Sequence, residues 1–417
     1  MKNIQSIKGT KDTLPSEIHK WQFLEDTFRR VSTKYGYTEL RTPIFEDSAL
    51  FHRGIGEGTD IVNKEMYTFI DKGGDSVTLR PEQTAALIRS VVQNNLLQLG
   101  TTSKFWYFGP YFRYERPQKG RLRQFHQYGA ECIASPFPES DVEVILLANS
   151  IIREIGIEDY KLNINSLGSE NSRNNYRDAL KSYLIENQDG LSEDSKRRLD
   201  INPLRILDSK DEKDKLIIAN APNIIDYLDE ESKNHFDTVI NLLSQLNVNF
   251  TIEPKLVRGL DYYNHTVFEF QSNALGSQDS FGGGGRYNGL IEQLGGKPNP
   301  AVGFAFGVER LIIILDSLNK LSELESKPDF YISSTSEKYL DKVYFVSEVL
   351  RKRNFNVQND LVRKSVKGQM REANKLGAKY AVIIGDDEIA KGTIILKNMT
   401  ESTQVELAFD DIEKHQF

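Results

Sequence analysis

Several residues in this 417-residue chain have types and spacings suited to work on an anion. Arg113 ends one aromatic run, 105–114, and Arg121 and Arg123 open the next, 123–134, across the basic stretch Glu115–Arg123. Antiparallel pairing of two such runs would bring the guanidiniums together, and a guanidinium fork suits a phosphate bidentately. Gln127 and Glu131 follow Arg123 at period two and share its face, while Phe125 offers a ring on which a base can stack. Further along, Arg258-Gly-Leu-Asp-Tyr-Tyr263 is a polar cluster in an apolar neighbourhood; a buried Arg and buried Tyr hydroxyls need partners, and a ligand can supply them. In Gly303–Arg310 an apolar run leads into a helix with Arg310 in its first turn. A cation there opposes the helix dipole unless an anion or a base plane faces it.

Other chemistries are poorly served. Gly54-Ile-Gly-Glu-Gly58 is followed by Thr59 and so misses the dinucleotide-binding pattern; Phe281-Gly-Gly-Gly-Gly-Arg286 misses it too, and neither has the Gly-Lys-Ser/Thr of a P-loop. Four consecutive glycines mark either a backbone that something approaches closely or a tight turn. The six His include no His-x3–5-His pair, and Cys132 is the single cysteine, so neither a zinc site nor an internal disulfide is expected. A lone cysteine fits a reducing compartment, and no signal peptide or ~18-residue apolar span is present; a soluble cytoplasmic protein is expected.

Net charge is −7, which argues against indiscriminate nucleic-acid binding. The average hides two basic footprints. Residues 351–379 hold nine Lys/Arg against Asp360 and Glu372, and 113–123 hold five against Glu115. Such runs are commonly solvated faces, but together they also suit a polyanion held at two places.

The length suggests two to four domains. The elements that must position these residues begin with a helix over 16–35, with Ser16 as its cap, and an extended segment broken at Pro43. A strand over 75–79 runs through Pro81 into a helix over 82–98. The aromatic runs form a hairpin with a long charged loop, and 140–155 is helical. From 168 to 247 the chain turns Lys/Glu/Asn/Leu-rich with helical periodicity, a helical insertion in a mostly β domain. Strands are expected at 250–257, 262–271 and 301–306, then a helix over 308–318 and a linker over 319–327. Beyond it, strands at 330–333, 355–359 and 380–385 alternate with helices at 338–353 and 365–376. A turn and the strand pair 393–397 and 403–408 complete a compact α/β domain.

The motifs, taken in order, resemble those of the class II aminoacyl-tRNA synthetases, and within that class the histidyl-tRNA synthetase family. The strings that carry the resemblance are KGTKDTLP at 8–15, LRPEQTAA at 79–86, FGPYFRYERPQKGRLRQFHQYGAE at 108–131, LVRGLDYYNHTVFEF at 256–270, GGGGRYNGLIEQLGG at 282–296 and GFAFGVER at 303–310. Gln83 and Asn288 depart from residues common in the family, and neither removes a group the chemistry requires.

The resemblance implies an α+β fold: a class II antiparallel-sheet catalytic domain over 1–325, interrupted by the 168–247 helical insertion, then an α/β anticodon-binding domain over 327–417. It implies activation of L-histidine with ATP and transfer to the terminal adenosine of tRNA-His, with Mg2+ arriving with ATP and no protein metal site. Arg113 and Arg258 would be catalytic, at the α-phosphate and the carboxylate. Arg113, Arg121, Phe125, Gln127 and Arg310 would bind ATP. Glu82, Gln83, Thr84, Gln127, Glu131, Arg258, Tyr262 and Tyr263 would bind histidine. Arg116, Gln118, Lys119 and Arg123 in the hairpin, and Lys364, Lys367 and Arg371 in the last domain, would bind tRNA. The family also implies a homodimer and no editing domain. A second reading is a non-catalytic, synthetase-like regulatory subunit of ATP phosphoribosyltransferase; a plain RNA-binding module is a third. Intact motifs and a C-terminal domain favour the enzyme.

Overall fold

A computed structural model describes residues 3–56, 59–276, 279–321 and 327–417. The chain divides into two compact units, Met1–Glu323 and Leu324–Phe417. Positions 322–326, the middle of the expected linker, lie outside the described residues.

The first unit is organised by an eight-stranded sheet. Its strand order is Thr38–Glu39, Ser103–Phe112, Gln124–Ile133, Ala301–Gly307, Ser280–Arg286, Asn264–Gln271, Lys161–Ser166 and Thr251–Ile252. The six central strands pair antiparallel, and only the outermost pair at each edge is parallel. The aromatic hairpin is in register from Ser103 opposite Ile133 to Phe112 opposite Gln124. Because strand side chains alternate between faces, its residues divide cleanly. Tyr128 on one face stacks on Phe28 of the helix Ile18–Lys34, with ring centroids 4.2 Å apart, and Trp106 and Phe304 pack around it. The odd-numbered residues 107, 111, 125, 127 and 131 take the other face.

Two central strands were not expected. Lys161–Ser166 follows a helix in a polar sequence. Ser280–Arg286 is the four-glycine run. It is neither a turn nor a nucleotide loop. A Cβ at Gly284 would overlap Gly303 O, one at Gly282 the ring of Phe306, and one at Gly283 Phe268 O, so only glycine lets its neighbours come this close.

Other bounds shift for local reasons. The helix after Pro81 spans only Thr84–Gln93, because the Glu82 carboxylate stands before it and accepts from the Thr84 and Ala85 N–H groups. Asn95, at φ 53°, follows its end. The first helix starts at Ile18, with Glu17 rather than Ser16 in the cap position and no side-chain cap bond. The expected strand at 250–257 shrinks to Thr251–Ile252, and the next begins at Asn264, leaving Tyr262 and Tyr263 in a loop. The insertion is helical, with α-helices Glu170–Glu186, Glu193–Ile201, Glu212–Ala219 and Glu230–Gln245.

The second unit has a five-stranded sheet in the order Val357–Asn359, Phe330–Ser334, Tyr380–Ile384, Thr393–Asn398, Gln404–Ala408, the first three parallel and the rest antiparallel. Helices Leu340–Lys352 and Val366–Lys375 supply the crossovers. Ser365 caps the second by accepting from Gly368 N–H. The turn expected after residue 385 is a short helix, Asp386–Lys391.

Candidate active site

One face of the large sheet has a floor of small residues where its central strands meet. Gly283 on one strand and Gly303 and Ala305 on its neighbour lie close together, and the volume left by their small or missing side chains is a cavity of about 250 Å³. Phe125, Gln127 and Glu131 project into it from the neighbouring strand, as period two requires. Phe125 and Glu131 are six residues apart on one strand, about 20 Å at the usual rise, so the cavity has two distinct ends.

Cations gather toward the Phe125 end. Arg113 donates from Nε to Pro81 O at 2.9 Å and lies over the Phe125 ring, 5.2 Å from its centroid. Arg121 pairs with Glu115 at 3.2 Å. Arg310 is held by two backbone carbonyls, Gly120 O at 3.1 Å and Ser280 O, which fixes its guanidinium between the hairpin loop and the glycine strand. Burial, then the nearby Arg121, pulls the Arg310 pKa below the usual arginine value, so an incoming anion would relieve both strains. Arg258 pairs with Glu269 at 2.6 Å. Burial is the largest single influence and opposes its charge, but Glu269 together with Tyr263, Tyr262 and Asp208 raises the pKa. Its Nε is buried without a hydrogen-bond partner, a donor left over for a ligand.

The other end is polar but electrically quiet. Glu131 accepts from Thr84 Oγ1 at 3.0 Å, Tyr287 OH at 2.6 Å and Tyr107 OH at 3.4 Å. Burial pushes its carboxyl up to about 8 despite the three hydroxyls, which act in the opposite direction. Glu82, also raised by burial, is partly spent on capping its helix. Tyr262 and Tyr263 are buried with ring centroids 4.6 Å apart, and Tyr262 packs edge-on to Tyr287. Such an end can grip a small molecule carrying both hydrogen-bond donors and acceptors, while the arginine end grips phosphates.

Of the residues singled out above for an amino acid or ATP, Glu82, Thr84, Arg113, Arg121, Phe125, Gln127, Glu131, Arg258, Tyr262, Tyr263 and Arg310 line this cavity. Gln83 does not. It is buried, accepts from Tyr111 OH at 2.9 Å and donates to Thr42 Oγ1 at 3.1 Å, so it braces the wall from behind. Tyr107 and Tyr287 were missed. Tyr287 falls in a string quoted above and Tyr107 in the aromatic run 105–114, yet only pairing with Glu131 gives them a role.

The hairpin residues are placed differently. Arg116, Gln118 and Lys119 are exposed, and the tip closes as a turn, with reciprocal backbone bonds between Gln118 and Arg121 and Gly120 at φ 73°. Gln118 and Lys119 line a second cavity with Lys11, Trp21 and His126. Arg123 lies over Tyr114 at 4.0 Å, away from the main cavity. In the second unit Lys364, Lys367, Arg371 and Lys375 are all exposed at the helix Val366–Lys375, with Lys364 paired to Glu372. Among the described residues no three His, Cys, Asp or Glu converge on a possible metal position, and no helix is long and apolar enough to cross a membrane.

Comparison with known proteins bears on both units. The family model described as histidyl-tRNA synthetase matches residues 9–311, and the model of an anticodon binding domain matches 329–415. The histidine–tRNA ligase of Microcystis aeruginosa is 50% identical over 412 residues, which cover 99% of this chain and 96% of that protein. The one from Streptococcus uberis is 45% identical over 411 residues, 98% of this chain and 97% of its own. Among solved structures, apo histidyl-tRNA synthetase of S. aureus superposes with TM-score 0.83 at 35% identity, covering 99% of both chains. A Bacillus halodurans protein described as an ATP phosphoribosyltransferase regulatory subunit/histidyl-tRNA synthetase shares the fold at TM-score 0.62 and 20% identity, covering 91% of this chain and 98% of its own.

Proposed function

The chain belongs to the histidyl-tRNA synthetase family, and from that premise we propose that its cavity joins histidine to ATP and then to tRNA. The observation that carries the reading is the union, on one sheet face, of four arginines with the Glu131 hydroxyl cluster.

In the first step a carboxylate oxygen of histidine attacks the α-phosphorus of ATP, forming the mixed anhydride as the bond to the β-phosphate oxygen breaks and pyrophosphate leaves. Two anions must meet, so positioning and positive charge supply most of the rate. Arg113 holds the α-phosphate while its guanidinium lies over one side of Phe125, which leaves the opposite side of that ring for adenine. Arg258 stands between the carboxylate and the α-phosphate, its Nε donor free for them. Arg121 and Arg310 take the outer phosphates. ATP enters as its magnesium complex, so the metal is part of the substrate.

Histidine lies with its ammonium toward Glu82, Thr84 and Gln127 and its imidazole toward Glu131, Tyr262 and Tyr263. An amino acid without two ring nitrogens leaves the buried polar groups at this end without their ligand hydrogen bonds, which rejects it by a large factor and makes editing unnecessary. In the second step the hydroxyl of the terminal adenosine of tRNA-His attacks the activated carbonyl and AMP leaves. Arg116, Gln118, Lys119 and Arg123 guide the acceptor end, and Lys364, Lys367 and Arg371 hold the anticodon end. We take 1–325, with its insertion, as the catalytic domain and 327–417 as the anticodon-binding domain, in a cytoplasmic homodimer.

ATP–pyrophosphate exchange with each of the twenty amino acids, without tRNA, tests the reading. Exchange with histidine alone is expected. Exchange with none would favour the non-catalytic regulatory alternative.

A further inference from the structure

The segment that carries Arg258, Tyr262 and Tyr263 has no ladder of its own. Residues 258–263 fall between the strands Thr251–Ile252 and Asn264–Gln271, outside both. Within them Asp261 N–H reaches Ile55 O at 3.4 Å, at the long limit for such a bond. Backbone bonds this sparse leave the segment's place to side-chain contacts, the buried Tyr262 and Tyr263 and the Arg258–Glu269 pair among them, which must offset roughly 1–2 kcal/mol of conformational entropy per ordered residue.

Three side chains from the helical insertion supply what is missing. Arg205 donates from Nη2 to Gly259 O at 2.5 Å and to Asp261 Oδ1 at 3.3 Å. Asn202 donates to the same Asp261 oxygen at 3.2 Å. Arg173 donates from Nη1 to Tyr263 O at 2.9 Å. They come from separate pieces of the insertion: Arg173 from the helix Glu170–Glu186, Asn202 from just beyond Glu193–Ile201, and Arg205 from the short 3-10 segment Pro203–Asp208. The bonds fall on the residue after Arg258, on the residue before Tyr262, and on Tyr263 itself. On the far side Asp261 is seated against Gly56, whose φ of 100° and lack of Cβ leave room for the carboxylate. The Arg205 side chain is 18% exposed and that of Asp261 33%, so water competes only in part for the pair.

We propose that Arg205, with Asn202 and Arg173, is a positioning residue for amino-acid activation, and that the helical insertion is thereby a working part of the catalytic site rather than a cover on the core. This rests on the histidine-activating reading above. None of the three touches the reacting atoms. Each acts through the 258–263 segment, and catalytic groups lose rate steeply when displaced: a shift of about 1 Å costs roughly 100-fold. Arg258 serves the transition state, and Tyr262 and Tyr263 serve bound histidine. Because all three ride on one segment, releasing it lowers kcat and raises the KM for histidine together.

The test is histidine-dependent ATP–pyrophosphate exchange by the full-length protein, comparing wild type, Arg205→Ala, Asp261→Ala, the double variant and Arg205→Lys, with thermal unfolding of each. Arg205→Ala is expected to lower kcat by about tenfold or more and to raise the histidine KM. The double variant should be no worse than the poorer single one, and Arg205→Lys should recover part of the loss. A smaller folded fraction would lower kcat and leave KM alone, so the paired change separates positioning from mere stability. If Arg205→Ala does not fold, Asn202→Ala removes a single neutral bond from the same carboxylate and should shift both constants several-fold. Single-variant losses that multiply in the double variant, or an Arg205→Ala protein within twofold of wild type, would overturn the proposal. Failure of the wild type to exchange with histidine would instead sink the functional reading, and it is seen before any variant is made.

Discussion

Gly303 lies directly across the ladder from Glu131, and a Cβ placed on it would overlap Glu131 Oε2. The buried carboxyl therefore occupies space that a glycine in the neighbouring strand leaves open. Gly303→Ala is expected to push the carboxyl off its three hydroxyl partners and lower kcat/KM for histidine by about 100-fold, in line with a misplacement of about 1 Å. The KM for ATP should move far less. Exchange kinetics with each substrate varied in turn check this, and equal changes in both KM values would contradict the two-ended cavity.

Glu131 also sets a pH dependence of stability. Its carboxyl is raised by burial from 4.5 to about 8, so folding favours the protonated form. Below 4.5 both folded and unfolded chains hold the proton and the contribution is whole; as pH rises toward 8 the unfolded chain releases it first, and the contribution is lost. Glu131→Gln has nothing to titrate. The Tm of the variant minus that of the wild type should climb between about 4.5 and 8 and level off above, by calorimetry on the ligand-free proteins. A difference that stays flat across this range would mean the acid is ionised in the folded state throughout.

Arg258→Ala removes the cation we place between the two reacting anions and leaves the part-buried Glu269 without its ion-pair partner, though still bonded to Gln271 Nε2. Loss of a donor aimed at developing charge typically costs about 10²–10³ in kcat, and exchange should fall by that order. Histidine binding, measured by calorimetry without ATP, should weaken less, because the Glu131 cluster is untouched. Near-normal exchange would remove Arg258 from its assigned place.

Lys367→Ala combined with Arg371→Ala alters two exposed cations on one helix of the second unit. Charging of tRNA is expected to weaken several-fold and to lose part of its salt dependence, since fewer phosphate contacts release fewer counterions. Pyrophosphate exchange without tRNA should be unchanged. An equal fall in both activities would show that these residues support the fold and not the RNA.

Much of this site was legible in the linear chain. Period two along 123–134 places Phe125, Gln127 and Glu131 on one face whatever lies beside them, and the structure puts all three in the cavity. Helical spacing likewise sets Lys367, Arg371 and Lys375 on one exposed side. These are local rules, because the backbone period alone decides which way neighbouring side chains point.

Pairing between distant segments obeys no such rule. Tyr107 and Tyr287 meet Glu131 from 24 and 156 residues away, and nothing in either local string says that they will. The four-glycine run is a strand only because Phe268, Gly303 and Phe306 close on it from both sides, leaving no room for any Cβ. Gln83 sits one residue from Glu82 and Thr84 yet faces Tyr111, since a helix start turns successive side chains in different directions. Arg205 finds Gly259 and Asp261 more than fifty residues on. The sequence by itself determined the periodicities, the charges and the family; tertiary structure alone decided which remote groups share one buried space, because burial energy is earned only when segments far apart in the chain pack together.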